Sequence, residues 1–300
     1  MKRCPAAYLL FILLSVHAAL ANPGTRRPMT FMDIVTMRSV ERPVLSPDGK
    51  WMLYALATRD WNAGKTFTDI YLVSVAQGFP STRQMTFTKN KNESSPQWSR
   101  DSKFFAFLSD RDAPEGKSIR QIYLMYPDGG EARKITDAKD GVGSFAFSKD
   151  GKFLAFTAGK EDERRLWIAS VPILDKAAPR LLTKRKASVV SWQFSPDSKR
   201  IYFVSADSLD TADRDRKAKK FDVRIRNENR PLTRLFAVDI DTKQETVVVA
   251  DSAYAVTDFT ISKDSKWIGF HGIPNNRYLR TVTESRTRGE KHGNHNEQVC

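Results

Sequence analysis

The sequence predicts an all-β chain, a partial β-propeller of about four four-stranded blades plus the start of a fifth, entered through a short N-terminal helix. Three observations predict it. A Ser-x-Asp-(Gly/Ser)-Lys pentapeptide occurs five times, at Ser46–Lys50, Ser99–Lys103, Ser148–Lys152, Ser195–Lys199 and Ser262–Lys266. The serine-to-serine intervals are 53, 49, 47 and 67 residues, the spacing of propeller blades and longer than most helical repeats. Each copy leads into a run too apolar to leave one face in water, such as Phe104-Phe105-Ala106-Phe107, Phe153-Leu154-Ala155-Phe156 and Ile201-Tyr202-Phe203-Val204. A strand covered on both faces by neighbouring sheets fits those runs.

Taken from the start, Lys2 and Arg3 precede an apolar stretch from Ala6 to Ala21 that ends in Ala19-Leu20-Ala21. A short apolar core closed by small residues reads as a secretory signal peptide over residues 1–21, and so as an exported, periplasmic or secreted chain. An uncleaved anchor is the other reading. No later stretch has the roughly 18 consecutive apolar residues of a transmembrane helix. Cys4 lies before the cut, which leaves Cys300 unpaired, so stability must come from a packed core and not from a disulfide. Residues 22–42 form a lead-in segment. Within it Thr30 to Met37 predicts a short helix, with Thr30 as N-cap and Asp33 completing a capping box.

The propeller occupies residues 43–276. In each repeat, serine opens a turn, proline where present sets φ, aspartate bonds to nearby N–H groups, and glycine accepts positive φ. Three copies carry serine at the glycine position, where some strain is expected. A second hairpin begins at Ile70-Tyr71-Leu72-Val73, Ile122-Tyr123-Leu124-Met125, Leu166-Trp167-Ile168 and Leu235-Phe236-Ala237-Val238. Turns such as Pro127-Asp128-Gly129-Gly130 lead to outer strands expected at Met85-Thr86, Ile135-Thr136, Leu182-Thr183 and Val247-Val248-Val249. After Ser262 the pattern stops: from Thr281 to Cys300 the only aliphatic residues are Val282 and Val299. Residues 277–300 therefore read as a disordered or out-of-frame tail on an amputated blade, or as a genuine disordered tail on a small propeller.

Charge narrows the partners. The net charge of +14 is scattered except between Arg214 and Arg234, and export argues against nucleic acid. Most of the excess reads as solvated surface, with a functional basic face as the alternative.

Met29-Thr30-Phe31-Met32-Asp33-Ile34, leading into Pro43-Val44-Leu45-Ser46-Pro47-Asp48-Gly49-Lys50, resembles the start of exported prolyl oligopeptidase-family serine peptidases, in their dipeptidyl- and acylaminoacyl-peptidase branch. Phe221-Asp222-Val223-Arg224 ahead of Leu235-Phe236-Ala237-Val238-Asp239 points the same way, and the resemblance covers about residues 29–276. It implies a propeller that restricts short peptides on their way to an α/β-hydrolase domain with a Ser-Asp-His triad. TolB-like propellers share the repeat, so a binding or scaffold propeller with an envelope protein partner is the alternative.

The chain has no Gly-x-Ser-x-Gly elbow to present a nucleophile; Gly141-Val142-Gly143-Ser144-Phe145 lacks the second glycine and misplaces the serine. No catalytic residue and no cofactor is expected. Of the histidines, His271 closes a strand, and His292 and His295 are two potential ligands in a weak tail, too few for a metal site. Glu161, Asp162 and Glu163 form an acidic knot that fits the ammonium end of a peptide, or an ordinary solvated loop. The charged insertion from Ala206 to Arg230 reads as a lid, a docking loop or a disordered segment. Asn92-Glu93-Ser94 is a glycosylation sequon.

Overall fold

Apolar runs that cannot face water on either side force sheets to stack face to face. The computed structural model describes residues 27–171, 178–207, 211–221, 232–249, 254–273, 284–289 and 297–299. The leader, His292, His295 and Cys300 lie outside these residues. Within them, five antiparallel sheets of four strands follow one another in chain order. The first contains β1 (Ser39–Leu45), β2 (Trp51–Asp60), β3 (Lys65–Ser74) and β4 (Arg83–Gln84). The second contains β5 (Glu93–Trp98), β6 (Phe105–Ser109), β7 (Gln121–Tyr126) and β8 (Gly129–Lys134). The third contains β9 (Val142–Phe147), β10 (Phe153–Ala158), β11 (Arg165–Ser170) and β12 (Arg180–Leu181). The fourth contains β13 (Val189–Phe194), β14 (Arg200–Ala206), β15 (Thr233–Asp239) and β16 (Glu245–Val249). The fifth contains β17 (Ala255–Ile261), β18 (Trp267–Ile273), β19 (Glu284–Gly289) and β20 (Glu297–Val299).

Each of four hydrophobic clusters belongs to a pair of consecutive sheets. Phe105 and Phe107 of β6 turn toward Leu53, Ile70 and Leu72 of the first sheet. Ala106 and Leu108, one step along the same strand, turn toward Val142, Phe145 and Leu154 of the third. Likewise Ile201 and Phe203 of β14 join Leu166 and Ile168, while Tyr202 and Val204 join Val256, Ile268 and Phe270. The period-2 alternation of a strand thus serves two interfaces at once. Accordingly β6 is buried at every position, whereas β2 and β18, in the outermost sheets of the stack, alternate between buried and more exposed residues.

The five Ser-x-Asp corners share one geometry. Each serine Oγ donates to the aspartate Oδ1 at 2.6–2.7 Å. The same Oδ1 accepts the lysine N–H at 3.1–3.2 Å. The serine Oγ also accepts the first N–H of the next strand at 2.9–3.1 Å. At Asp48 and Asp264 the serine hydroxyl holds the carboxyl below its ordinary range. At Asp101, Asp150 and Asp197 burial pulls the other way, and the hydrogen bonds together win. Because these carboxyls are depressed in the fold, their contribution is present above the unfolded carboxylate range and fades as pH falls through it.

The serines at the glycine position do adopt positive φ, +59° at Ser102 and +60° at Ser198. They also gain a partner that the sequence did not disclose. Ser102 Oγ accepts the N–H of Asp48 at 3.1 Å, and Ser198 Oγ that of Asp150 at 3.2 Å. A strained residue in one corner therefore ties that corner to the preceding sheet. Between the second and third sheets the tie is different: Arg100 Nε donates to Lys149 O at 2.9 Å. A Cβ at Gly151 (φ +73°) would sit 3.1 Å from Arg100 Cβ, so glycine makes that approach possible.

Other expectations need adjustment. The helix α1 (Phe31–Val35) has its capping box, with Asp33 N–H donating to Thr30 Oγ1 at 3.3 Å and Thr30 N–H to Asp33 Oδ2 at 2.7 Å. The apolar-Thr pairs lie just past the outer strands, not within them. Met85, Ile135 and Leu182 donate their N–H to the carbonyls of Ile70, Ile122 and Leu166 at 2.8–2.9 Å. The following Thr86, Thr136 and Thr183 accept the N–H of those same residues at 2.9–3.2 Å. Within residues 277–300, β19 pairs with β18 from Trp267↔Gly289 to Gly272↔Glu284. β19 is the third strand of its sheet and is hydrogen-bonded on both sides, to β18 and to β20, so backbone pairing holds a polar stretch there. The charged insertion contains a helix, α2 (Thr211–Ala218).

The corner geometry makes a direct prediction. Ser148→Ala removes a fully buried hydroxyl and leaves the Phe153 N–H without its acceptor. Denaturant unfolding should show a loss of about 1–3 kcal/mol at unchanged m-value. A loss below about 0.3 kcal/mol, within the range of ordinary surface changes, would contradict the role given to the corner.

Candidate ligand-binding rim

Sheet topology sorts the loops onto two rims. The Ser-x-Asp corners join first to second strands and fall on one rim. The loops from second to third strands, and from each outer strand to the next sheet, fall on the other. That second rim is where length and charge vary. It carries residues 110–120, the acidic knot, the insertion after Ala206 and the arginines Arg111, Arg120, Arg164 and Arg185. Variable, charged loops on a uniform scaffold are where binding residues concentrate.

Glu161 and Asp162 are exposed in the β10–β11 loop, and Ser188 Oγ donates to Glu161 O at 2.8 Å. Glu163 is already engaged: Arg214 Nη2 on α2 donates to its Oε1 at 2.9 Å. The knot thus serves as the landing point for the insertion's helix. His271 is exposed on β18. The sequon's Asn92 is half-buried and accepts from Thr68 Oγ1 at 3.3 Å.

Sequence reading missed a pair of arginines in matching places. Arg120 O accepts the N–H of Val142 at 2.7 Å, and Arg164 O accepts that of Val189 at 2.9 Å. Each arginine precedes by two residues the first core residue of its third strand, Ile122 or Leu166. Aligned on that strand, the repeats place Thr68, Arg120, Arg164 and Thr233 in one column, a signal available to a reader who fixes the register first. Gly143 of β9 leaves space that Thr157 and Arg164 share, since a Cβ there would lie 2.9 Å from Thr157 Oγ1 and 3.1 Å from Arg164 Nε.

The first strand of every sheet carries a one-residue bulge, a device that re-aims side chains. In β1 and β5 the bulge puts Arg42 at φ +49° and Ser95 at φ +54°, each before a proline. In β9 it brings Ser144 to Thr157: Ser144 N–H donates to Thr157 Oγ1 at 3.1 Å, and Trp192 Nε1 donates to Ser144 Oγ at 2.9 Å. A half-open cleft of about 480 Å³ lies between the β8–β9 connection and the third sheet, lined by Ile135, Ala138, Phe156, Ala158, Trp167 and Pro179.

At the start of β5, Glu93 is fully buried. Its Oε1 accepts from Ser109 Oγ at 3.0 Å and from Arg111 Nη2 at 3.2 Å. The Arg111 guanidinium lies 4.7 Å from the Tyr123 ring centroid and 5.4 Å from that of Phe107. Burial pushes the Glu93 carboxyl up, against the pull of Thr88, Ser109 and Arg111. Among the described residues no helix is long and apolar enough to cross a membrane.

No family profile matches the chain. Three curated proteins do, and all three are peptidases by name. An uncharacterized peptidase, YuxL, from Bacillus subtilis is 32% identical over 134 residues, 44% of this chain and 19% of its own length. Dipeptidyl-peptidase 5 from Porphyromonas endodontalis is 29% identical over 192 residues, 61% of this chain and 26% of its own. The chain therefore spans about a quarter or less of the relatives it matches. Among solved structures, the β-propeller domain of the Trilobed protease from Pyrococcus furiosus aligns with TM-score 0.57 and 14% identity, over 88% of this chain and 71% of that one. A TolB structure from Agrobacterium tumefaciens aligns with TM-score 0.52 and 19% identity, over 87% and 80%. The five stacked sheets are a β-propeller. In sequence the chain is similar to a part of each of these peptidases.

Glu93 supplies a test of the rim's electrostatics. A carboxyl raised in the fold favours the folded state most at low pH, and that advantage disappears as pH rises through its folded pKa. Between pH 5 and pH 8 the wild type should therefore lose thermal stability relative to Glu93→Gln, followed as the difference in Tm. A growing wild-type advantage over that interval would show that pairing with Arg111 outweighs burial.

Proposed function

We propose that this chain is the non-catalytic, access-restricting propeller region of an exported serine peptidase that acts on short peptides. The observation that carries this reading is the unequal pair of rims in a chain whose relatives are peptidases. One rim is built from five matching corners; the other gathers the long loops, the helix α2 and the charged side chains. An irregular polar rim on a stack of packed sheets suits sorting of ligands by size and charge. Export is supported by Lys2, Arg3 and the run closing in Ala19-Leu20-Ala21. The lack of a nucleophile in this region is supported by the missing Gly-x-Ser-x-Gly elbow.

The TolB likeness keeps a second reading in view, a scaffold propeller working through an envelope protein partner. The two readings separate experimentally. Purified chain should bind short peptides and leave dipeptidyl and aminoacyl reporter substrates intact. Turnover blocked by a fluorophosphonate would overturn the non-catalytic assignment. Stable co-purification with an envelope protein, together with indifference to peptides, would favour the scaffold.

A further inference from the structure

We propose that Arg120 and Arg164, flanked by Arg42, form a carboxylate-binding site on the variable rim. It deepens the peptide-handling reading above and rests on it for the nature of the ligand. The argument begins with position. The two arginines hold equivalent places in neighbouring sheets, each fixed through its own carbonyl to the first residue of the following sheet's inner strand. Equivalent backbone positions in adjacent sheets carry their side chains to the same rim. Room for one of them is built in, because Gly143 lacks the side chain that would collide with Arg164.

The second step concerns what these side chains touch. Among the described residues the side chains of Arg42, Arg120 and Arg164 donate no hydrogen bond, and Arg164 Nε is buried without an acceptor. Other arginines of this rim are employed: Arg111 on Glu93, Arg185 on the carbonyls of Ala206 and Asp207, and Arg214 on Glu163. Burial lowers the pKa of Arg120, and the positive charges of Arg164 and Arg42 lower it further, so the three lie within electrostatic reach of one another. Asp110 opposes that shift. Yet Asp110 is buried, and its oxygens already accept from Asn92 N–H at 2.8 Å and Ser118 Oγ at 3.3 Å.

Like charges gathered with idle donors are unfavourable until an anion joins them. The fork of a guanidinium matches a carboxylate with two parallel N–H···O bonds, which a lysine cannot reproduce. Either the C-terminal carboxylate of a peptide or an Asp or Glu side chain supplies that group.

Fluorescence anisotropy on the full 300-residue chain at low salt tests the site. The probes are a dye-labelled tetra-alanine with a free C-terminus, its C-terminal amide, and an amidated version with one internal Glu. Preference for the free acid identifies the C-terminus as the source, and equal preference for the Glu probe identifies either carboxylate. The neutral amide should bind at least about tenfold more weakly, the consequence of losing one charged pair. Arg120→Gln and Arg164→Gln should each erase that discrimination, Arg164→Lys should erase most of it while keeping the charge, and Lys149→Gln on the opposite rim should change nothing. Equal binding of acid and amide, or discrimination that survives both glutamine variants, overturns the carboxylate site while leaving peptide handling intact. If no peptide binds but succinate does, in an Arg120- and Arg164-dependent way, the site stands and peptide handling falls. Absence of any binding overturns both. Should Arg164→Gln unfold, Arg120→Gln and Arg164→Lys, compared by the same acid-to-amide ratio, carry the test.

Discussion

A strand that is apolar on both faces has to be covered twice, and in this chain that need organises everything else. Phe105, Phe107, Ala106 and Leu108 belong to one strand and to two different clusters. The sheets must therefore stand in a row, each acting as a lid for the two beside it. Burying a side chain of this size contributes roughly 1.5–3 kcal/mol, and every interior sheet collects such terms on both sides. Phe203 shows the arrangement in one residue: fully buried, 5.5 Å from the Phe236 ring in its own sheet, and packed against Leu166 and Ile168 of the preceding sheet.

Polar groups finish what the apolar faces begin. The corners and the apolar-Thr clasps satisfy backbone groups at places where the chain leaves a sheet, so that strands of only two residues, such as β4 and β12, suffice at the outer edge. Cross-sheet bonds from Asp48 to Ser102 and from Asp150 to Ser198 then fix neighbouring corners relative to one another. These devices hold one rim uniform and leave the other free to vary. The likeness to peptidase propellers and to TolB alike follows from that division, since the scaffold is common property and the loops are not.

What the sequence discloses follows the same division. Corners, second strands and third strands are readable because each is a local pattern repeated at a blade's spacing. The capping box of α1 is readable for the same reason, four residues that explain themselves. The cross-sheet role of Ser102 is not, because its partner is 54 residues away and only the stacked fold brings the two together. β19 escapes a search for apolar runs because Glu284–Gly289 contains no aliphatic or aromatic residue, and α2 escapes because Thr211–Ala218 shows no apolar stripe. On the rim, the acidic knot stands out by composition, yet Glu163 is joined to Arg214. Arg120 and Arg164 stand out only once the repeats are aligned on their third strands.

Amide hydrogen exchange tests the central claim most directly. The second strands of all five sheets have a hydrogen-bonded neighbour on each side, so any difference in protection among them reports coverage of their faces. The account predicts that β6, β10 and β14 exchange most slowly, with β2 and β18 clearly faster, and that Phe203→Ala accelerates exchange in the third and fourth sheets together. Equal protection across the five strands, or acceleration confined to β14's own sheet, would contradict it.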